Sequence, residues 1–325
     1  MTITRRCWGL AALSIPGTWA LGGSIRQEPA RQANARLDAA LADSLCATST
    51  NDDPGRLALR RVTASEPQAL RYQGTHILTY GAMRELAEGF NAEAAQPLRV
   101  VGGGCDDALR AVSRDEAHLG GLCCTATSTP ARAWTHLRMA WDLKAVIAHP
   151  SVPLTDVSLA RLRSIASGAT RNWVELGAPR RPIALVLRQH CPDFQEPVRQ
   201  ALLGHDNPGN WPTHPIFVDR DEQIVQTVAR FEGAIGVVSL VFARPEIAAG
   251  RVRLLTLDHV RPDPAARQVR AYPLLGPLDL VMKRPSPGLA PFLRYAASLA
   301  GRAILAREFI PAPMEAALRG WPDRA

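Results

Sequence analysis

The feature that most constrains the fold is a pair of nearly continuous apolar runs of strand length. They are Ile183–Leu187 and Ala234–Phe242, and the amphipathic helix predicted between them is Glu222–Phe231. Strands that are apolar on both faces are typical of parallel sheets covered by helices on both sides. The pattern therefore predicts an α/β fold with doubly wound sheets.

The same alternation begins at Leu70 and continues to the end of the chain. Short strands are predicted at Pro97–Val101 and His118–Leu122, with a helix that begins at Cys105 between them. A late strand, Leu278–Met282, precedes a closing helical region, Phe292–Phe309. At 325 residues the chain is long enough for about two domains.

The N-terminus has the three parts of a secretory signal. Arg5 and Arg6 precede the apolar stretch Trp8–Trp19, and small residues follow up to Ser24. We therefore expect residues 1–24 to be a signal peptide, 25–70 to be a leader of one or two short helices, and the mature protein to be periplasmic. In an oxidising compartment some of the five remaining cysteines should pair, and their odd number leaves at least one over. They are Cys46, Cys105, Cys123, Cys124 and Cys191.

The net charge of +8 does not indicate a nucleic-acid partner. The chain contains 38 basic residues, of which only Lys144 and Lys283 are lysine, and the arginines are scattered among acidic residues. Proteins that bind DNA or RNA usually concentrate their charge in a patch or an arm. We expect no nucleic-acid binding.

Several segments, in order, resemble those of one known family. Val157–Gly177 closely resembles the "L-x-x-I-F-S-G-x-I-x-N-W-x-E-L-G" segment of phosphate-binding periplasmic proteins, which are the receptors of phosphate ABC importers. Pro182–Arg188 is similar to the following strand, Gly233–Val238 to the "G-A-I-G-Y" strand, Tyr272–Leu274 to the "Y-P-L" return, and Phe292–Pro311 to the closing segment.

This resemblance implies a type II periplasmic solute-binding fold, with two doubly wound α/β lobes joined by two crossover strands that act as a hinge. The first lobe would comprise 71–142 and 271–325, and the second 143–270. Such a protein would bind a small anion such as phosphate without catalysis and without a cofactor. It would act as a monomer and pass the ligand to an ABC transporter permease or a membrane sensor.

The resemblance also assigns candidate ligand-binding residues. Ligands in open α/β sheets bind beyond the carboxyl ends of the strands. Position by position, the family's phosphate contacts fall on six residues or their immediate neighbours, namely Thr75, His76, Cys105, Asp106, Cys123 and Arg188. Trp173 and Glu175 belong to the family signature but are expected to pack and to cap a helix.

The chemistry of these positions departs from the family pattern. Cysteine stands at Cys105 and Cys123, where hydroxyl or carboxyl groups are usual, and thiols are weak hydrogen-bond donors. Pro192 has no N–H, and Asp106 and Asp193 bring negative charge toward an anion. Each hydrogen bond lost to a charged group costs about 1.5–3 kcal/mol, so the sequence disfavours tight phosphate binding.

Several alternatives stay open at this stage. The thiols could fill a decayed pocket or form a Cys105–Cys123 disulfide, and Arg188 could be a structural ion pair with Asp106, Asp107 or Asp193. The cleft could instead bind a soft metal such as zinc or copper. The chain could also be a thiol- or metal-dependent enzyme, or a ligand-free scaffold. The candidate metal ligands are His76, Cys105, Cys123 and Cys191, with Cys124 and His190 adjacent.

Overall fold

The computed structural model describes residues 54–126, 131–189, 194–204, 211, 215–266 and 271–322. Three predicted segments lie outside the described residues: the signal peptide, most of the leader, and residues 190–193. The expectations for Cys46, His190, Cys191, Pro192 and Asp193 therefore stay predictions.

The first half of the described chain is a parallel β/α arrangement. Strand β1 (Leu70–Thr75) lies between β2 (Leu98–Gly103) and β3 (Leu119–Leu122) and runs parallel to both. A helix precedes β1, a second leads from β1 toward β2 through a π-helical turn, and a third connects β2 to β3. The elements are α1 (Pro54–Ser65), β1 (Leu70–Thr75), α2 (His76–Leu78), the π-helical turn Thr79–Met83, α3 (Arg84–Asn91), β2 (Leu98–Gly103), α4 (Cys105–Ser113), β3 (Leu119–Leu122) and β4 (Thr125–Ala126).

One long strand, β5 (Thr135–Ala148), connects this half to the rest of the sheet. Its first part pairs antiparallel with β12 (Leu275–Met282), which also pairs with β3. Its last part pairs antiparallel with β10 (Ala234–Ser239). The predicted boundary between the lobes at 142/143 therefore falls inside a continuous strand, and the division into lobes stays a prediction.

The second half repeats the parallel arrangement. Strand β7 (Ala184–Arg188) lies between β10 and β9 (Ile216–Val218) and runs parallel to both. The remaining elements of this half are β6 (Asp156–Val157), α5 (Leu159–Ser167), the 3-10 turn Trp173–Leu176, β8 (Phe194–Gln195), α6 (Pro197–Leu203), α7 (Asp221–Arg230), α8 (Leu240–Ala248) and β11 (Arg253–Leu257).

The C-terminal segment returns to the first half of the sheet. After β12 come the 3-10 turn Pro287–Leu289, α9 (Ala290–Ala297), α10 (Leu299–Leu305), β13 (Ile310–Pro311) and α11 (Glu315–Leu318). Strand β13 pairs with β5, and α9 packs on α3. A small separate cluster holds α1 in place, because its buried Leu59 packs with Val101 and Val112.

Side-chain hydrogen bonds cap the helix and the turn of the segment that resembles the phosphate-binding family. The Ser158 hydroxyl accepts a hydrogen bond from the backbone N–H of Arg161 at the start of α5. The Glu175 carboxylate accepts the N–H of Asn172, which closes the next turn. Trp173 is buried, and its indole N–H donates to the carbonyl of Gly233 at 2.8 Å. The predicted capping and packing roles of Glu175 and Trp173 are confirmed.

The predicted α/β class is confirmed, with one correction to an element. The apolar run Ala234–Phe242 is not one strand, because β10 ends at Ser239 and α8 begins at Leu240. Leu240 and Phe242 are buried side chains of that helix. The apolar run therefore continues across the boundary between strand and helix and could not mark it. Across the described part of the chain, every helix is too short or too polar to cross a membrane.

Candidate functional site

Three parallel strands end at one edge of the sheet, and the predicted binding residues follow them. Thr75 is the last residue of β1 and lies in register with Gly103, the last residue of β2. Cys105 is the first residue of α4, just beyond β2, and Cys123 directly follows β3. The carboxyl ends of parallel strands are where ligands bind in this class of fold. The structure therefore brings Thr75, Cys105 and Cys123 together as predicted.

Three cysteines at this edge form a compact buried group, which we call the thiol cluster. They are Cys105, Cys123 and Cys124. The Cys123 sulfur lies 3.5 Å from that of Cys105 and 3.8 Å from that of Cys124. The Thr75 hydroxyl donates to the Cys123 sulfur at 3.3 Å. None of these three cysteines forms a disulfide, and all three are at least 94% buried. The predicted Cys105–Cys123 disulfide is not formed in this structure.

The three thiols differ in acidity. Hydrogen bonds from Cys105 and Cys124, helped by the charges of Lys144 and Arg188, hold the pKa of the Cys123 thiol well below its ordinary value. The hydrogen bond that Cys105 makes to Cys123, together with burial, raises the pKa of the Cys105 thiol. The surroundings thus favour the thiolate form at Cys123 over the other two sulfurs.

The backbone approaches closely beside the thiols. Gly74 of β1 lies opposite Gly121 of β3. A β-carbon at Gly121 would come within 2.0 Å of the Tyr72 hydroxyl oxygen. Two glycines are therefore needed to admit the Tyr72 ring next to the cluster. Burial raises the pKa of the Tyr72 phenol, and the charges of Cys105 and Cys123 add to this effect.

Two buried ion pairs face the thiol cluster. The Lys144 ammonium lies 2.7 Å from Asp142, which also accepts from the Ser239 hydroxyl at 2.8 Å. Arg188 lies 2.7 Å from Asp221. Burial by itself lowers the pKa of Lys144, but the charges of Asp142, Cys123 and Asp221 raise it above its ordinary value. Both cations thus stay charged, and each has its own carboxylate.

Arg188 is therefore in the site, but with a partner that sequence reasoning did not identify. Asp221 begins α7, which packs on β7 and β10, and this packing carries its carboxylate to the guanidinium. The expected partners were Asp106, Asp107 and Asp193. Asp107 is occupied elsewhere, since it accepts from Arg110 and from the backbone N–H of Gly104, both at 2.7 Å.

That contact also occupies the backbone N–H of Gly104 at the start of α4, where a helix N-terminus could otherwise bind an anion. The carboxylate of Asp107 occupies a backbone donor that a bound anion would need, and it complements the positive end of the helix. Asp106 is half-buried in the same first turn. The start of α4 is thus already supplied with negative charge.

His76 is not part of the thiol cluster. It begins α2, is buried, and its ring centre lies 5.7 Å from that of Tyr80. Among the described residues, the group with metal-ligand spacing consists of Cys105, Cys123 and Cys124, whose sulfur atoms all lie within 4.8 Å of one another. The predicted pairing of His76 with the thiols is therefore not seen.

The space beside Arg188 is small. A cavity of about 10 Å³ is lined by Lys144, Arg188, Glu196, Asp221 and apolar side chains. That volume suits at most one water molecule. The two halves of the molecule meet here, where β4 pairs antiparallel with β8. A ligand larger than one water molecule therefore needs more space than this cavity offers.

Sequence reasoning missed Asp142, Lys144, Asp221 and Ser239. One signal was available, because Asp142 and Lys144 are two residues apart in an apolar strand and so share one face. Lys144 is also one of only two lysines in the chain. Asp221 and Ser239 gave no comparable signal, since they reach the site from other elements.

Comparison with known proteins agrees with this architecture. The chain is 26% identical over 205 residues to the phosphate-binding protein PstS of Bacillus subtilis (strain 168), a match that covers 62% of this chain and 66% of the relative. The chain resembles phosphate-binding receptors. The resemblance inferred from the sequence is thereby confirmed. No protein-family profile matches the chain.

Solved structures show the same fold. A protein from Clostridium perfringens, described as a phosphate ABC transporter substrate-binding protein with bound phosphate, superposes with a TM-score of 0.62 at 18% identity, covering 75% of this chain and 99% of that one. An ABC-type phosphate transport receptor from Vibrio cholerae gives a TM-score of 0.57 at 16% identity, covering 75% and 100%. Like these receptors, the chain has a mixed α/β fold with a large curled sheet.

Proposed function

We propose that this chain is an exported solute-binding protein that holds a small ligand, phosphate or a related oxyanion, between two lobes. It would deliver the ligand to an ABC transporter permease or a membrane sensor, without catalysis. The observation that carries the proposal is the position of Thr75 and the thiol cluster. They follow the carboxyl ends of three strands and face Arg188, in a fold shared with phosphate receptors.

The binding of phosphate itself is expected to be weak. A buried anion needs several good donors, because a buried unpaired charge is costly. Here Arg188 is neutralised by Asp221, the Gly104 N–H is taken by Asp107, and thiols replace hydroxyls. Phosphate should therefore need more space than the cavity beside Arg188 offers, and it should compete with Asp221 for the guanidinium.

Thermal unfolding with added phosphate, arsenate and sulfate tests the proposal. A ligand of the folded state stabilises it by about 2.7 kcal/mol at a hundredfold excess over its dissociation constant. We expect a rise in the unfolding midpoint for phosphate only at millimolar concentration.

A sharper test is the variant Asp221→Asn, which removes the negative charge that Asp221 places beside the guanidinium of Arg188. We expect this variant to bind phosphate about tenfold more tightly or better, because a charge-assisted hydrogen bond is worth about 1.5–3 kcal/mol. Asp115→Asn is the matched control, since Asp115 pairs with Lys283 in an exposed ion pair. An absence of stabilisation by every oxyanion in both the unaltered chain and Asp221→Asn would refute oxyanion binding.

Export is tested separately. The full chain should appear in the periplasmic fraction of the cell, and a chain without residues 1–24 should stay in the cytoplasm. Equal distribution of the two chains would contradict the proposed signal peptide.

A further inference from the structure

The thiol cluster has the geometry of a site for one central atom. Two sulfurs bonded at about 2.3 Å to the same atom, with an angle of about 100–110° at that atom, lie about 3.5–3.8 Å apart. The sulfur–sulfur distances from Cys123 are 3.5 and 3.8 Å. A disulfide would instead require about 2.05 Å. At these distances the sulfurs are in contact, close enough to converge on one shared ligand atom and too far apart for a bond between sulfurs.

The charge of the surroundings selects among thiophilic ligands. Lys144 is paired with Asp142, and Arg188 with Asp221, so each nearby cation already has a counter-charge. Three thiolates around a monovalent copper ion would carry a net charge of −2, and around zinc a net charge of −1. A buried uncompensated charge is strongly unfavourable. The site thus favours a trivalent centre, whose complex with three thiolates is neutral.

The number of ligands points the same way. In the part of the chain that the structure covers, the candidate ligand group at this position has three members. Three sulfurs complete the coordination of a trivalent, pyramidal centre.

We propose that the thiol cluster of Cys105, Cys123 and Cys124 binds a trivalent thiophilic oxyacid, with arsenous acid as the representative, through three sulfur bonds. The inference rests on the proposed function, because it names the solute that this receptor would hold. It explains why thiols stand where the phosphate receptors have oxygen ligands. Thr75, whose hydroxyl contacts the Cys123 sulfur, would orient that sulfur toward the bound atom.

The binding step is a balanced condensation. Arsenous acid, As(OH)₃, reacts with three thiols to give As(SR)₃ and three molecules of water. Three arsenic–oxygen bonds break and three arsenic–sulfur bonds form, and each thiol proton leaves with one hydroxyl group as water. Arsenic stays trivalent throughout, so no oxidant or reductant is needed.

Native mass spectrometry of the reduced full chain with sodium arsenite tests the assignment. We expect the mass to increase by one arsenic atom less three hydrogens. X-ray absorption at the arsenic edge should show three sulfur neighbours and no oxygen. Bound arsenic that retains oxygen neighbours, or binding of zinc or copper(I) without binding of arsenous acid, would overturn the proposal.

Variants locate the site. Replacing Cys105, Cys123 or Cys124 singly by serine should weaken arsenite binding by about 100-fold or more, because a third bond made within a preformed site benefits from a high effective concentration. The double variant Cys46→Ser, Cys191→Ser keeps the three thiols and should bind with unchanged affinity. Loss of binding in that double variant, which leaves the thiol cluster intact, would contradict the assignment even if the single variants fold poorly.

Small-angle scattering in the same samples separates this inference from the proposed function. Arsenite bound to three sulfurs with no change in the radius of gyration would support the thiol site and count against a receptor that closes on its solute. Compaction by phosphate without any arsenite binding would support the receptor and overturn the thiol site.

Discussion

At the residue scale, the site depends on two charges that the sheet buries in pairs. Lys144 and Asp142 lie in β5, at the point where the strand stops pairing with β12 and starts pairing with β10. Both side chains are almost completely buried. A buried ion pair contributes little to stability compared with an apolar pair, but removal of one partner leaves an uncompensated charge.

Lys144→Met should therefore destabilise the protein by about 3–5 kcal/mol, since it leaves Asp142 buried without its counter-charge. Urea unfolding followed by circular dichroism measures the free energy. The control is Lys283→Met, at the only other lysine of the chain. Lys283 forms an exposed ion pair with Asp115, and losing this pair should cost about 1 kcal/mol or less. Equal losses in the two variants would show that the buried pair has no special role.

The residues of the site were predictable to different degrees. Thr75, Cys105 and Cys123 follow strands whose periodicity is clear in the sequence, so their convergence could be expected. The pairing of Arg188 with Asp221 could not, because α7 reaches β7 only through tertiary packing. His76 lies apart from the thiols because α2 begins at that residue and its buried ring packs beside Tyr80, and its role in ligand binding stays a prediction.

At the scale of elements, the close approach of β1 and β3 shapes the edge where the site lies. The strands run in register with Gly74 opposite Gly121, and the Tyr72 ring occupies the space that side chains would take. The sequence predicted a strand at His118–Leu122 and placed the start of the β/α alternation at Leu70. It could not indicate which glycines serve the packing of an aromatic ring and which serve turns.

Gly121→Ala should lower the free energy of unfolding by about 1–3 kcal/mol, because the added methyl group collides with the Tyr72 ring and overpacks the site. Chemical denaturation measures the loss. The control is Gly320→Ala, where an added β-carbon has no heavy atom within 4 Å and the change should stay within about 0.5 kcal/mol. A neutral result at Gly121 would mean that Tyr72 can move aside.

At the scale of the whole molecule, stability is linked to pH through one buried acid. Burial and the neighbouring charge of Asp221 raise the pKa of Glu222 from 4.5 to about 7. Between these values the folded state binds more protons than the unfolded state. The contribution of Glu222 to stability therefore falls as pH rises through this window, by about 3 kcal/mol in total.

Glu222→Gln removes this titration. Relative to the unaltered chain, the variant should gain stability steadily from pH 5 to pH 8, as measured by urea unfolding at each pH. Glu88→Gln, at an exposed position of α3, is the control and should follow the unaltered chain at every pH. A constant difference between Glu222→Gln and the unaltered chain would show that Glu222 has the same pKa in both states.

The two-residue ladder between β4 and β8 would contribute little to how long a solute stays bound to the proposed receptor. β4 begins directly after Cys124, and β8 follows the loop beyond Arg188, so the ladder joins the two walls of the site. A ladder this short has few hydrogen bonds to break. It therefore acts as a latch with a low barrier, and residence time at this site would be governed mainly by the bonds that the ligand itself makes.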